Sequence, residues 1–191
     1  MNGTGDYIKM NHEEKTLEKD YRYRGRIINV RLDVALMPDG TTTSYREVVE
    51  HPGGVVIALD DENGLFSMVT QWRYAQEKEL MEFPAGKLER GEDPFEAAKR
   101  ETAEETGYEG VDWVDFGEFV PTGAYCEEKD HLYYAKQGKY VGQHLDSDEH
   151  LDTAKLSLDE IIDKVMSGEI TDGKTAMLAF KVRERKRRNE G

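Results

Sequence analysis

Gly86–Tyr108 reads GKLERGEDPFEAAKRETAEETGY and carries seven carboxylates. Asp93 is a good N-cap, Pro94 a good first helical residue and Gly107 a natural stop, so the spacing predicts a helix over Pro94–Thr106. At about 100° per residue, Phe95, Ala98 and Thr102 share a small core-facing stripe, while Glu101, Glu104 and Glu105 share an adjoining edge. Carboxylates spaced i, i+3 and i+4 repel by a few tenths of a kcal/mol per pair. Toward the C-terminal end the helix dipole also disfavours them. Composition explains part of the crowding, since 40 acids in 191 residues predict about five in a window of this length. It does not explain the order: a Gly-rich lead-in, a capped short helix, an Arg-Glu pair and a Glu-Glu pair one turn later. Hard divalent cations prefer carboxylate oxygen and would turn the repulsion into attraction.

Outward from this helix, the chain reads as one α/β domain. RIINVRLDVALMPDG predicts a strand closed by a turn at Pro38-Asp39-Gly40, and SYREVVEH a second strand. GVVIALDDENGLFSMVTQWRY is two apolar runs around DENG, a hairpin signal. LMEFPAG leads into the acidic stretch, and DWVDFGEFV and HLYYAKQG read as later strands. SLDEIIDKVMSG has a capping box (Ser157, Glu160), an apolar stripe (Leu158, Ile161, Ile162, Val165) and a stop at Gly168. TDGKTAMLAFKVRERKRR predicts a final helix. The expected organisation is a polar extension over 1–20, a single domain over 21–187 and a tail over 188–191, with a mixed sheet flanked by helices.

The net charge is −14, which argues against general nucleic-acid binding. A small anionic substrate remains compatible if cations screen the site. No apolar run is long enough to span a membrane, and the N-terminus lacks the apolar core of a signal peptide. The one cysteine, Cys126, allows no internal disulfide and suits the cytoplasm. It reads as a packing residue without a catalytic role.

The acidic stretch resembles the Nudix box: Gly, five residues, Glu, seven residues, Arg-Glu-apolar-any-Glu-Glu-any-Gly-apolar. Gly86, Glu92, Arg100, Glu101, Glu104, Glu105, Gly107 and Tyr108 fall in place. Thr102 departs from the usual aliphatic residue, although its methyl faces the core stripe. With QWRY upstream and GEITDGKTAMLAF downstream, the resemblance extends over roughly Tyr21–Phe180. It is to the ADP-ribose pyrophosphatase and nucleoside-diphosphate-sugar branch.

The resemblance implies the Nudix fold, a mixed sheet sandwiched between helices, and metal-dependent attack of water on phosphorus. ADP-ribose would give AMP and ribose 5-phosphate. Mg²⁺ is the implied ion, with Mn²⁺ as the alternative. Glu101 and Glu105 would be metal ligands, Glu104 would bind directly or through water, and the Ala85 carbonyl would complete the set. Glu92 would hold Arg100 and the loop. A base on the loop HLDSDEHLD would accept the water's proton, Glu149 first and Asp148 next. Arg73 and Arg46 match substrate-binding positions, Tyr45 could stack on the base, and Glu82 would be a further metal or substrate contact.

Relatives of this branch are homodimers, with strands in the region 21–50 crossing to the partner. Pro121-Thr122-Gly123 departs from the Pro-Gly common in ADP-ribose enzymes. GDP-mannose or UDP-glucose is therefore an alternative substrate, and a non-catalytic nucleotide sensor is an alternative of another class.

Overall fold

The computed structural model describes residues 11–189 other than Asp146 and Asp148. These residues form two compact units. The first comprises the N-terminal segment through His51 together with Ala124–Glu127. It is a three-stranded antiparallel sheet of β1 (Lys15–Arg24), β2 (Asn29–Leu36) and β3 (Thr43–Glu50). The polar extension expected over 1–20 differs here, because β1 begins at Lys15. KTLEKD has no period-two apolar pattern, and pairing with β2 makes it a strand. Inside this unit Arg31 is buried and ion-paired with Asp33, Glu50 and Glu127. Such a multiply bonded arginine retains its charge because each lost water contact is replaced.

The second unit, Pro52–Gly123 and Glu128–Gly191, carries a mixed sheet. Its strands are β4 (Gly54–Asp60), β5 (Leu65–Arg73), β6 (Lys78–Glu82), β7 (Ala85–Lys87), β8 (Tyr108–Phe119), β9 (Asp130–Tyr140) and β10 (Leu151–Ser157). The order is β10-β5-β4-β9-β8, with β6 on β5 and β7 on β4. Among the described strands of this sheet, only the β4–β9 pairing is parallel. Three helices follow the sequence expectation: α1 (Pro94–Thr106), α2 (Leu158–Ser167) and α3 (Gly173–Asn189).

The central strand β4 explains the layering. Its residues alternate between faces, and both faces are covered. Val55, Ile57 and Leu59 pack with Ala97 and Ala98 of α1 and with Tyr133. Val56 and Ala58 pack on the other face with Phe66, Phe83, Ile161, Ile162, Leu178 and Val182. The sheet therefore lies between α1 on one side and α2 with α3 on the other. Full burial of each large apolar side chain contributes on the order of 1.5–3 kcal/mol.

The sequence predicts no strand at β10, whose first two residues fall in the loop HLDSDEHLD. LDTAKLS is mostly exposed and lacks clean alternation. It is an edge strand specified by its unbroken antiparallel register with β5, from Leu151 opposite Gln71 to Ser157 opposite Leu65.

Candidate active site

Helix α1 is positioned by its ends. Asp93 Oδ1 accepts the backbone N–H groups of Phe95 and Glu96, and Gly107 closes the helix at φ 77°. Beyond the cap, the backbone N–H of His144 donates to the Glu104 carbonyl at 3.0 Å. The Gln143 amide donates to the Glu105 carbonyl at 2.7 Å. Gln143 and His144 are thus tied to the C-terminal turn of α1. Thr102 is fully buried, and its hydroxyl donates to the Ala98 carbonyl at 2.6 Å, so the polar atom at this apolar position is satisfied.

The acidic edge divides by burial. Glu101 and Glu105 are 6% and 1% exposed, whereas the Glu104 side chain is 36% exposed. Burial pushes the Glu105 carboxyl up to about 8, reinforced by the negative charges of Glu101 and Glu149 and opposed by the Ala85 N–H and Arg73. Burial also raises Glu101, opposed by Arg100, with Glu104 and Glu149 adding to the rise. Glu149 thus stands within electrostatic reach of both buried carboxylates. Asp148 lies outside the described residues.

Arg100 is the organising cation. Its Nε and Nη2 donate to Glu92, each at 3.0 Å, and Nη1 donates to Glu101 at 2.8 Å and to Glu104 at 3.0 Å. Glu92 in turn accepts the Glu89 N–H at 2.9 Å, fixing the loop before the helix. Glu92 therefore tethers both Arg100 and this loop.

The segment between β6 and β7 faces the same carboxylates. The Ala85 backbone N–H donates to Glu105 Oε2 at 2.9 Å. Gly86 lies so close to Glu101 that a Cβ there would be 1.9 Å from its carboxyl carbon. Glu82 is buried and accepts two bonds from Arg73, Nε at 2.7 Å and Nη2 at 2.5 Å. Arg73 also feels the charge of Glu105. Glu82, Arg73, Ala85, Glu92, Arg100, Glu101, Glu104, Glu105 and Glu149 thus belong to one acidic region of the second unit.

Arg46 and Tyr45 lie on β3 of the first unit. Arg46 forms a two-pronged ion pair with Glu14, at 2.8 and 2.7 Å, and Tyr45 is 70% exposed. The sequence reading assigned no role to three further residues of the second unit. Asp172 caps α3, Thr175 reaches the Phe83 backbone, and Asp130 is buried with Oδ2 lacking a hydrogen-bond partner among the described residues. An Asp three residues before a Thr at a helix start is a legible cap signal. The contact across to Phe83 is not legible in the sequence.

Among the described residues, no three carboxylate, imidazole or thiolate groups converge into a ready metal cluster. The Arg100 guanidinium lies between Glu101 and Glu104 and holds them as ion-pair partners. No helix among these residues is long and apolar enough to cross a membrane.

Comparison with known proteins shows the family. The chain is 42% identical over 170 residues to the methanol dehydrogenase activator of Bacillus methanolicus, covering 86% of this chain and 90% of the activator. It is 34% identical over 166 residues to the ADP-ribose pyrophosphatase of Bacillus subtilis strain 168, covering 86% and 89%. A crystal structure of an ADP compounds hydrolase superposes with a TM-score of 0.79 over 92% of this chain and 95% of that one. At 20% identity, it speaks to the fold alone. The NUDIX domain model matches residues 50–176. That span holds the whole of α1 and the segment from Glu82 to Gly86 facing it, and the chain belongs to the Nudix hydrolase family.

Proposed function

We propose that this Nudix enzyme hydrolyses the diphosphate linkage of ADP-ribose, giving AMP and ribose 5-phosphate. The observation that carries the reading is the pair of buried carboxylates, Glu101 and Glu105, on one helix edge against the Ala85-Gly86 backbone. Burying the two carboxylates together disfavours their charged forms and raises both, and a bound cation would restore the charged pair. The donor set is all hard oxygen, which fits Mg²⁺ or Mn²⁺. Glu101, Glu104 and Glu105 would hold the ion with the Ala85 carbonyl. When bound, it supplies charge neutralisation for the diphosphate and a more nucleophilic water.

The chain's own residues do the remainder. Glu92 fixes Arg100, whose Nη1 holds and orients both Glu101 and Glu104. Glu149 accepts the proton of the attacking water, as its electrostatic coupling to Glu101 and Glu105 supports. The oxygen of that water forms the new bond to phosphorus while the bridging P–O bond breaks. Arg73, steadied by Glu82, presents its charge toward the diphosphate. Arg46 and Tyr45 remain candidates for substrate binding, Tyr45 through its exposed ring. Exposed Leu17, Tyr23, Ile27 and Ile28 in the first unit support a homodimer, which sedimentation would test.

Product release from ADP-ribose, GDP-mannose, UDP-glucose and NADH, with Mg²⁺ and with EDTA, tests the reaction. Metal-dependent AMP release from ADP-ribose is expected, and Glu105→Gln should abolish it. Full activity in E105Q would sink the assignment. Pro121-Thr122-Gly123, which departs from the Pro-Gly common in ADP-ribose enzymes, favours a second reading in which the substrate is a nucleotide sugar. Preferential cleavage of GDP-mannose or UDP-glucose would select this reading.

A further inference from the structure

We propose that Asp172 and Thr175, at the start of α3, are positioning residues for the segment Glu82–Ala85 and, through Ala85, for the Glu105 carboxylate. The inference rests on the metal-site reading above. Asp172 Oδ2 accepts both the backbone N–H and the hydroxyl of Thr175, each at 2.8 Å. A threonine hydroxyl has one proton, so this bond commits it and leaves lone pairs facing away. The Phe83 backbone N–H donates to that oxygen at 2.9 Å. The other Asp172 oxygen is held by Lys174 Nζ at 2.7 Å, which fixes the carboxylate plane. An ordinary helix cap requires only the first of these bonds.

The location gives the arrangement its consequence. Strand β6 ends at Glu82 and β7 begins at Ala85, so Phe83 lies in a break between strands. Its buried N–H needs a partner from elsewhere, and Thr175 supplies one. Three successive backbone groups are then pinned: Phe83 N–H by Thr175, the Pro84 carbonyl by the Ile57 N–H at 2.9 Å, and Ala85 N–H by Glu105 at 2.9 Å. Gly86 follows directly, packed on the Glu101 carboxylate. Releasing the first pin lets the segment pivot, and both buried carboxylates lose their backbone wall.

The test is Mn²⁺ binding to the metal-free full chain, read from loss of the free-ion EPR signal, together with ADP-ribose kinetics. Thr175→Val keeps the shape and removes the hydroxyl, Thr175→Ser keeps the hydroxyl, and Thr175→Ala is a second deletion. The expected result is Mn²⁺ binding weakened fivefold or more in T175V and T175A, with kcat falling more than KM rises. T175S should stay within twofold of the parent. A folded deletion variant with parental Mn²⁺ binding overturns the proposal, as does a T175S as weak as T175V. If neither deletion folds, the hydroxyl serves the fold and the positioning role is overturned. A parent protein that binds no Mn²⁺ removes the metal reading itself, an outcome distinct from these.

Discussion

Replacing Gly86 by alanine would separate the acidic site from the fold. A Cβ at this position would lie 1.9 Å from the Glu101 carboxyl carbon and 2.0 and 2.3 Å from its oxygens. Carbon contacts are ordinarily about 3.5–4.0 Å, so the carboxylate must retreat by about 1.5 Å. The obstacle is the end of a flexible side chain, and Gly86 does not occupy the left-handed region, so the backbone can accept alanine. Alanine at a compatible site gains about 0.4–1 kcal/mol through the unfolded chain. Against this, Glu101 loses a charge-assisted bond to Arg100 worth about 1.5–3 kcal/mol. The net cost is on the order of 1 kcal/mol, or about 2–4 °C in melting temperature for a chain of this size. A displacement above 1 Å at a reacting site costs about 100-fold in rate. The assay pairs circular-dichroism melting with AMP release from ADP-ribose in Mg²⁺. The expected G86A protein melts within a few degrees of the parent and is about 100-fold slower. Parental turnover in G86A would refute the claim that the Glu101 position governs catalysis.

Two further perturbations probe the surrounding charges. Arg73→Ala leaves the buried Glu82 carboxylate without its two-pronged partner. Breaking a fully buried pair costs about 3–5 kcal/mol. Arg73 is 37% exposed, so about 2 kcal/mol is expected in urea unfolding at unchanged m-value, and a loss below about 0.5 kcal/mol would contradict the pairing. Burial pushes the Asp130 carboxyl up to about 6, with Glu128 and Asp172 adding to the rise and Lys174 opposing it. The folded state therefore binds this proton more tightly than the unfolded chain, whose carboxyl titrates near 3.9. Stability from this group is fully present below about pH 4 and is lost as pH rises through 6. Asp130→Asn should consequently gain stability over the parent as pH rises through that window, reaching about 3 kcal/mol at pH 7, with no gain at pH 3.5. A stability difference independent of pH would refute the assignment.

Much of the second unit was legible because its signals are local. Asp93, Pro94 and Gly107 bound α1 at the residues where caps act, and Ser157, Glu160 and Gly168 do the same for α2. The spacing of Glu101, Glu104 and Glu105 predicts an acidic edge, since helical geometry follows from residue count alone. Strands β1 and β10 escaped the reading for the complementary reason. Both are largely exposed, and their hydrogen bonds lie with neighbouring strands instead of in a local apolar alternation.

Sequence alone therefore determined the family, the helices with their caps, and the residue types gathered at the acidic edge. Tertiary structure decided which of those acids are buried and what stands against them. Glu101 and Glu105 lie inside while Glu104 stays half-exposed, because the β6–β7 segment covers two of the three. Gly86 on Glu101, Ala85 on Glu105 and Thr175 on Phe83 join positions 15, 20 and 92 residues apart. Capping and periodicity act over one or two helical turns. These longer contacts exist only once β7 pairs with β4 and α3 packs on the sheet, so their physical cause lies in the register of the strands and the packing of the helices.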